Sequence, residues 1–124
     1  MVTGIGIDIV ETSRMLRWKE NPGILERFYH PRELEDALSK GRFTGQSLAA
    51  RFAAKEAFGK ALGTGLAGIV LKDIMVINSL NGRPEMHVTG TALTALNKNG
   101  ANRIHVSLTH EKDNAAAVVV LEEI

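Results

Sequence analysis

Gly63-Thr64-Gly65-Leu66-Ala67-Gly68 is the stretch on which the fold class turns. Its letters match the glycine fingerprint of dinucleotide-binding folds, which requires a strand before it and a helix after it. Here the flanks are reversed. Upstream, Gln46 to Leu62 reads as a long helix with Ala50, Ala54, Ala57, Phe58 and Ala61 at helical spacing on one apolar stripe. Gly63 suits the left-handed residue that closes such a helix. Downstream, Lys72 to Asn78 reads as a strand, and Asn81-Gly82 turns the chain back into Pro84 to Val88. The glycines are therefore a helix stop and a loop, and a doubly wound nucleotide fold is rejected.

Working outward, Val2 to Val10 alternates as a strand, with Ile5, Ile7 and Ile9 on one face and Gly4, Gly6 and Asp8 on the other. Glycines on one strand face commonly let a backbone or a ligand approach closely. Thr12 or Ser13 is positioned to cap a short basic helix through Trp18, which Asn21-Pro22-Gly23 ends. Helical pieces follow at Ile24 to Tyr29 and Pro31 to Lys40, with Glu33, Glu35 and Asp36 near the positive end of the latter. Thr91 to Asn97 reads as a helix closed by Gly100. Arg103 to Thr109 and Ala115 to Leu121 read as two strands joined by a polar loop. The order predicts a single α+β domain, residues 1–124, with a mainly antiparallel sheet packed against one long helix and several short ones. The run Val118-Val119-Val120-Leu121 is apolar on both faces, so both must be covered, within the chain or by a neighbouring subunit.

Composition narrows the function classes. In 124 residues there is no cysteine, which excludes disulfides and thiolate chemistry. No apolar run approaches the ~18–20 residues of a membrane span, and Asp8 interrupts the only apolar N-terminal stretch, so a cytoplasmic protein is expected. The net charge of +1 hides basic islands: six cations (Lys40, Arg42, Arg51, Lys55, Lys60, Lys72) against Glu56 alone between residues 37 and 72, and Arg14, Arg17 and Lys19 between residues 12 and 19. Such islands attract an anionic partner or merely solubilise a surface. An aromatic content of 5% gives little surface for stacking single-stranded nucleic acid.

Three groups carry candidate chemistry. Asp8, an acid in an apolar glycine-flanked strand, needs a partner to offset its desolvation. Glu56 and Lys60 stand four residues apart on the long helix, an ordinary surface ion pair. Two carboxylates from separate elements, with lysines nearby, also suit a Mg²⁺ held between protein and substrate phosphates. His105 and Ser107 share a strand face, with His110 at the strand end. A zinc site is not supported, since His105 and His110 differ in strand parity and no third ligand is evident. Nor does Ser107 sit in a nucleophile elbow. In Asn81-Gly82-Arg83-Pro84, a turn first of all, Arg83 alone points to anion contact.

Taken together, Gly4-Ile5-Gly6-Ile7-Asp8-Ile9-Val10-Glu11, Arg51-Phe52-Ala53-Ala54-Lys55-Glu56-Ala57-Phe58-Gly59-Lys60-Ala61-Leu62-Gly63-Thr64-Gly65 and His105-Val106-Ser107-Leu108-Thr109-His110 resemble the small bacterial type of the 4'-phosphopantetheinyl transferase family. The resemblance spans nearly the whole chain. It implies transfer of the phosphopantetheine arm of coenzyme A to a serine of an apo acyl carrier protein, releasing adenosine 3',5'-bisphosphate. By the same resemblance Asp8 and Glu56 carry Mg²⁺, Lys60 and His105 hold pyrophosphate oxygens, and Ser107 lies near the coenzyme. Arg83 is matched to the 3'-phosphate, and Arg14, Arg17 and Lys19 to the acidic carrier. The family's trimers share active sites between neighbours, which fits the doubly apolar last strand. The general base stays open among a metal-bound water, Glu56 and His110. A non-enzymatic nucleotide- or nucleic-acid-binding module would use the same lysines but leaves Asp8 and Glu56 unexplained, since acids repel phosphate without a metal. An inactive trimeric scaffold is opposed by the intact motifs.

Overall fold

The computed structural model describes residues 1–124. Strand β1 (Val2–Glu11) leads into helices α1 (Thr12–Lys19), α2 (Pro22–Phe28), α3 (Pro31–Leu38) and α4 (Thr44–Leu62). Strands β2 (Ile74–Asn78) and β3 (Pro84–Val88), helix α5 (Gly90–Asn99), and strands β4 (Arg103–His110) and β5 (Asn114–Glu122) complete the chain. Every strand pairing is antiparallel, but in two sheets: β1-β5-β4 and the hairpin β2-β3. β3 comes beside β4 without joining its ladder.

Helix α4 is the centre of the molecule. The one-sided stripe expected from its sequence is in fact burial nearly all round, from Leu48 through Leu62, because the three-stranded sheet covers one side while α1, α3 and β2 cover others. Small residues make that possible. A Cβ on Gly4 would lie 1.9 Å from the Ala61 carbonyl oxygen, and one on Gly6 the same distance from that of Ala57. The two glycines let β1 lie directly on the backbone of α4, an approach no other residue allows. Gly63, at φ +81°, closes the helix as expected.

Helix starts differ from the simple reading. Glu11, not Thr12 or Ser13, occupies the N-cap of α1 and makes no side-chain cap bond. The Thr12 amide donates to the Asp113 carbonyl at 2.8 Å, while its hydroxyl is buried without a partner. At α3, the Arg32 amide donates to His30 Nδ1 and the His30 amide to Glu33 Oε1, a reciprocal cap. Glu33 is more than a helix-end acid. Fully buried, it accepts from Lys55 Nζ at 2.7 Å and from the Val76 amide at 3.0 Å. Lys55, equally buried, also donates to the carbonyls of Leu71 and Ile74. The pair ties α3, α4 and β2 together.

The outer face of the three-stranded sheet stays open. Ile5, Ile7 and Ile9 are each about two-thirds exposed, in register with Val120, Val118 and Ala116 of β5 and, beyond them, with His105, Ser107 and Thr109 of β4. The inner face of β5 is covered, with Ala117, Val119 and Leu121 buried. Of the two apolar faces expected for this strand, the chain covers one.

Candidate active site

Because Gly4 and Gly6 seat β1 on α4, the next residue on the same strand face, Asp8, comes to the side of that helix where Glu56 and Lys60 stand. Lys60 Nζ donates to Asp8 Oδ1 at 2.9 Å and to the Ile7 carbonyl at 3.1 Å. The ion pair anticipated within the helix is thus replaced by one between elements, and the Lys60 ammonium is raised in pKa by its hydrogen bond to Asp8 and by that residue's charge. Burial first, and then the negative charge of Asp8, push the Glu56 carboxyl above the ordinary carboxylate range, against the opposing pull of Lys60 and Arg14. Two carboxylates thus face one hydrogen-bonded ammonium, with the Arg14 guanidinium as a second cation acting on Glu56. No histidine and no third acid joins them. A hard oxygen pair of this kind fits Mg²⁺, which takes one or two protein carboxylates and fills its remaining positions with water and phosphate oxygens.

Arg14, on α1, lies beside this group. Its guanidinium carbon sits 5.0 Å from the Trp18 ring centre and 5.2 Å from that of Phe52. Arg17 and Lys19 are exposed in the last turn of α1.

A second feature lies across the sheet. Lys40, Ser47, Arg51, Asn78, Gly82 and His110 contribute to a cleft of about 500 Å³ between the start of α4 and the β2–β3 hairpin. The hairpin loop is fixed by the Ser79 amide donating to the Arg83 carbonyl at 2.8 Å, with Gly82 at φ +82°. Arg51 is nearly buried, its Nε donating to the Val76 carbonyl at 3.1 Å and a terminal nitrogen to Asp36 at 2.5 Å. The basic island is accordingly smaller than the sequence suggests: Lys55 is wholly committed inside the protein, and Arg51 presents only what its internal bonds leave.

Arg83 and His105 share a third cleft, of about 350 Å³ between β3 and β4, with His87 and Arg103. His105 Nε2 lies 2.9 Å from Glu122 Oε1, and its hydrogen bond draws the Glu122 carboxyl below the usual range. Within one chain, then, Asp8, Glu56 and Lys60 come together, whereas His105 and Ser107 do not reach them: those two lie on β4, beyond β5, on the opposite face of the sheet. His110, on the other parity, belongs to the larger cleft beside the hairpin. That parity and the hairpin were both readable from the sequence; their meeting at one cleft beside the start of α4 was not.

Residues 4–120 match the family model of the 4'-phosphopantetheinyl transferase superfamily. The chain belongs to that superfamily. Among relatives, it is 60% identical over 122 residues to the holo-[acyl-carrier-protein] synthase of Treponema denticola, covering 98% of this chain and 99% of that protein. The crystal structure of the holo-[acyl-carrier-protein] synthase from Neisseria meningitidis matches with a TM-score of 0.87 at 34% identity, over 99% of this chain and 100% of that one. The corresponding enzyme from Bacillus anthracis, solved in complex with CoA (3',5'-ADP), matches with a TM-score of 0.83 at 35% identity, over 100% and 99%. In this transferase all three features described above lie within the matched segment.

Proposed function

We propose that this transferase moves the 4'-phosphopantetheine group of coenzyme A onto a serine hydroxyl of an apo acyl carrier protein, the carrier of fatty-acid synthesis. The serine hydroxyl oxygen forms a bond to the phosphorus bearing the pantetheine arm and releases its proton to solvent, the bridging P–O bond breaks, and adenosine 3',5'-bisphosphate leaves with the bridging oxygen. One observation carries the reading beyond family membership: Asp8 and Glu56, from separate elements, come together beside the Lys60 ammonium. Asp8 and Glu56 would hold Mg²⁺, which when bound neutralises charge on the pyrophosphate oxygens. Phosphoryl transfer depends mainly on positioning and charge stabilisation, so the remaining work falls to cations of the chain. Lys60, exposed enough to swing from Asp8, holds a pyrophosphate oxygen. The hairpin cleft with Arg51 and His110 receives the nucleotide end, and Arg83 contacts the 3'-phosphate.

Those two halves lie at opposite edges of the sheet, with β5 between them. In the proposed homotrimer one subunit supplies Asp8, Glu56 and Lys60 and its neighbour supplies the cleft. The open face of Ile5, Ile7, Ile9, Val118 and Val120 forms the apolar contact. His105 and Ser107, on that same face, reach the coenzyme only across the interface. Arg14 and Arg17 face the acidic carrier. No helix is long and apolar enough to cross a membrane, and we place the reaction in the cytoplasm. A non-enzymatic phosphate-binding module would gain nothing from two acids beside its lysine.

Asp8→Asn and Glu56→Gln test the assignment. Each should abolish transfer with Mg²⁺ present while circular dichroism shows a folded protein. Wild-type rates in either variant would remove the metal role.

A further inference from the structure

We propose that Trp18 and Phe52 form an aromatic cradle that presets the Arg14 guanidinium to receive a carboxylate of the acidic carrier protein, making Trp18 a positioning residue for carrier recognition. The inference rests on the acyl carrier protein being the acceptor. It begins with spacing: Arg14 and Trp18 are four residues apart on α1 and therefore share a face. The guanidinium sits over both rings, at 5.0 and 5.2 Å from their centres. The rings are themselves held. Trp18 meets Phe52 edge-on at 5.1 Å and Phe28 at 5.1 Å, and Phe28 and Phe52 are 6.1 Å apart, so α1, α2 and α4 each contribute one ring. Phe52 is buried, one turn before Glu56 on α4, which anchors the cradle to the helix that carries the reaction centre.

Arg14 enters no ion pair and α1 contains no acid; Glu56 on α4 feels its charge but forms no ion pair with it. Trp18 and Phe52 stand at 87° to one another, so the planar guanidinium can stack on only one of them; stacked so, it keeps the N–H groups of its outward edge free to donate in the plane, the geometry that recognises a carboxylate. Because its rotamer is already restricted, less freedom is lost when the partner arrives. An acidic surface would also be steered by Arg17 and Lys19 on the same short helix.

The test is a double-mutant cycle on the KM for apo carrier protein, with the single tryptophan of the chain as an optical reporter. W18L should raise the carrier KM about fivefold, the scale of one partly exposed cation–π contact, and leave the KM for coenzyme A and kcat in place. W18F should recover most of that loss. In an R14A background W18L should add nothing, because the cradle has no cation to hold. Trp18 emission should change as apo carrier is titrated into wild-type protein. Additive losses in the R14A background would show that Trp18 acts without Arg14 and would overturn the proposal, as would an unshifted carrier KM in W18L. If W18L melts below the assay temperature, W18F with and without R14A and the emission titration decide instead, and emission unmoved by a carrier that is being modified overturns the cradle. Wild-type protein that modifies no carrier at all would instead overturn the reading beneath it.

Discussion

Gly6→Ala perturbs the contact on which fold and site both depend. The new Cβ would lie 1.9 Å from the Ala57 carbonyl oxygen and 2.7 Å from the Ala61 nitrogen, both backbone atoms that cannot rotate away. Ordinary contact begins at 3.4 Å, so β1 must retreat from α4 by about 1.5 Å. Overpacking a core costs about 1–3 kcal/mol, and a clash of backbone on backbone belongs at the upper end. With an unfolding entropy near ~2.1 cal/mol/K per residue, a loss of ~3 kcal/mol in a chain of this size lowers Tm by about 10 °C. Asp8, two residues along the same strand, moves with it, so the Mg²⁺ affinity proposed for Asp8 and Glu56 should fall as well. Thermal melts by circular dichroism at one fixed protein concentration, with metal titration by calorimetry, read both effects. Concentration is held because assembly alone shifts Tm. A Gly6→Ala protein melting within about 2 °C of wild type, with unchanged metal affinity, would refute the reasoning.

Two further outcomes follow from the same structure. Lys55→Met strands the buried Glu33 carboxylate and should cost about 3–5 kcal/mol in urea denaturation, whereas Glu33→Gln with Lys55→Met should recover part of that loss; strictly additive losses would show that the two do not act as a pair. Asp73 accepts from the Thr91 hydroxyl and amide, which lower its carboxyl below the usual range. Its contribution is therefore present above the ordinary aspartate range and lost as pH falls through the lowered value. Melts of Asp73→Asn against acid pH should show a shallower acid limb than wild type, and parallel curves would contradict this.

Local signals were legible where local physics decides the outcome. The glycine–isoleucine alternation of β1, the left-handed stops at Gly63 and Gly100, and the Asn81-Gly82 turn each appear as read. The illegible parts depend on partners distant in sequence. Arg51 and Lys55 look like a cationic surface because their acids, Asp36 and Glu33, stand 15 and 22 residues away on another helix. The stripe of α4 looks one-sided because periodicity cannot show that β2 and α3 close its far side. For the site, Asp8, Glu56 and Lys60 were legible as chemistry, but their meeting depends on two missing Cβ atoms. His105 stood out in its motif, yet Glu122 and the sheet hold it away from the carboxylates within a single chain.

Intact mass spectrometry of an apo acyl carrier protein incubated with this protein and coenzyme A, with and without Mg²⁺, tests the central claim most directly. The account predicts a mass gain of one phosphopantetheine that requires the protein, coenzyme A and the metal together. A carrier that stays unmodified across fatty-acid and other acyl carriers, or one modified equally well after complete metal removal, would contradict it.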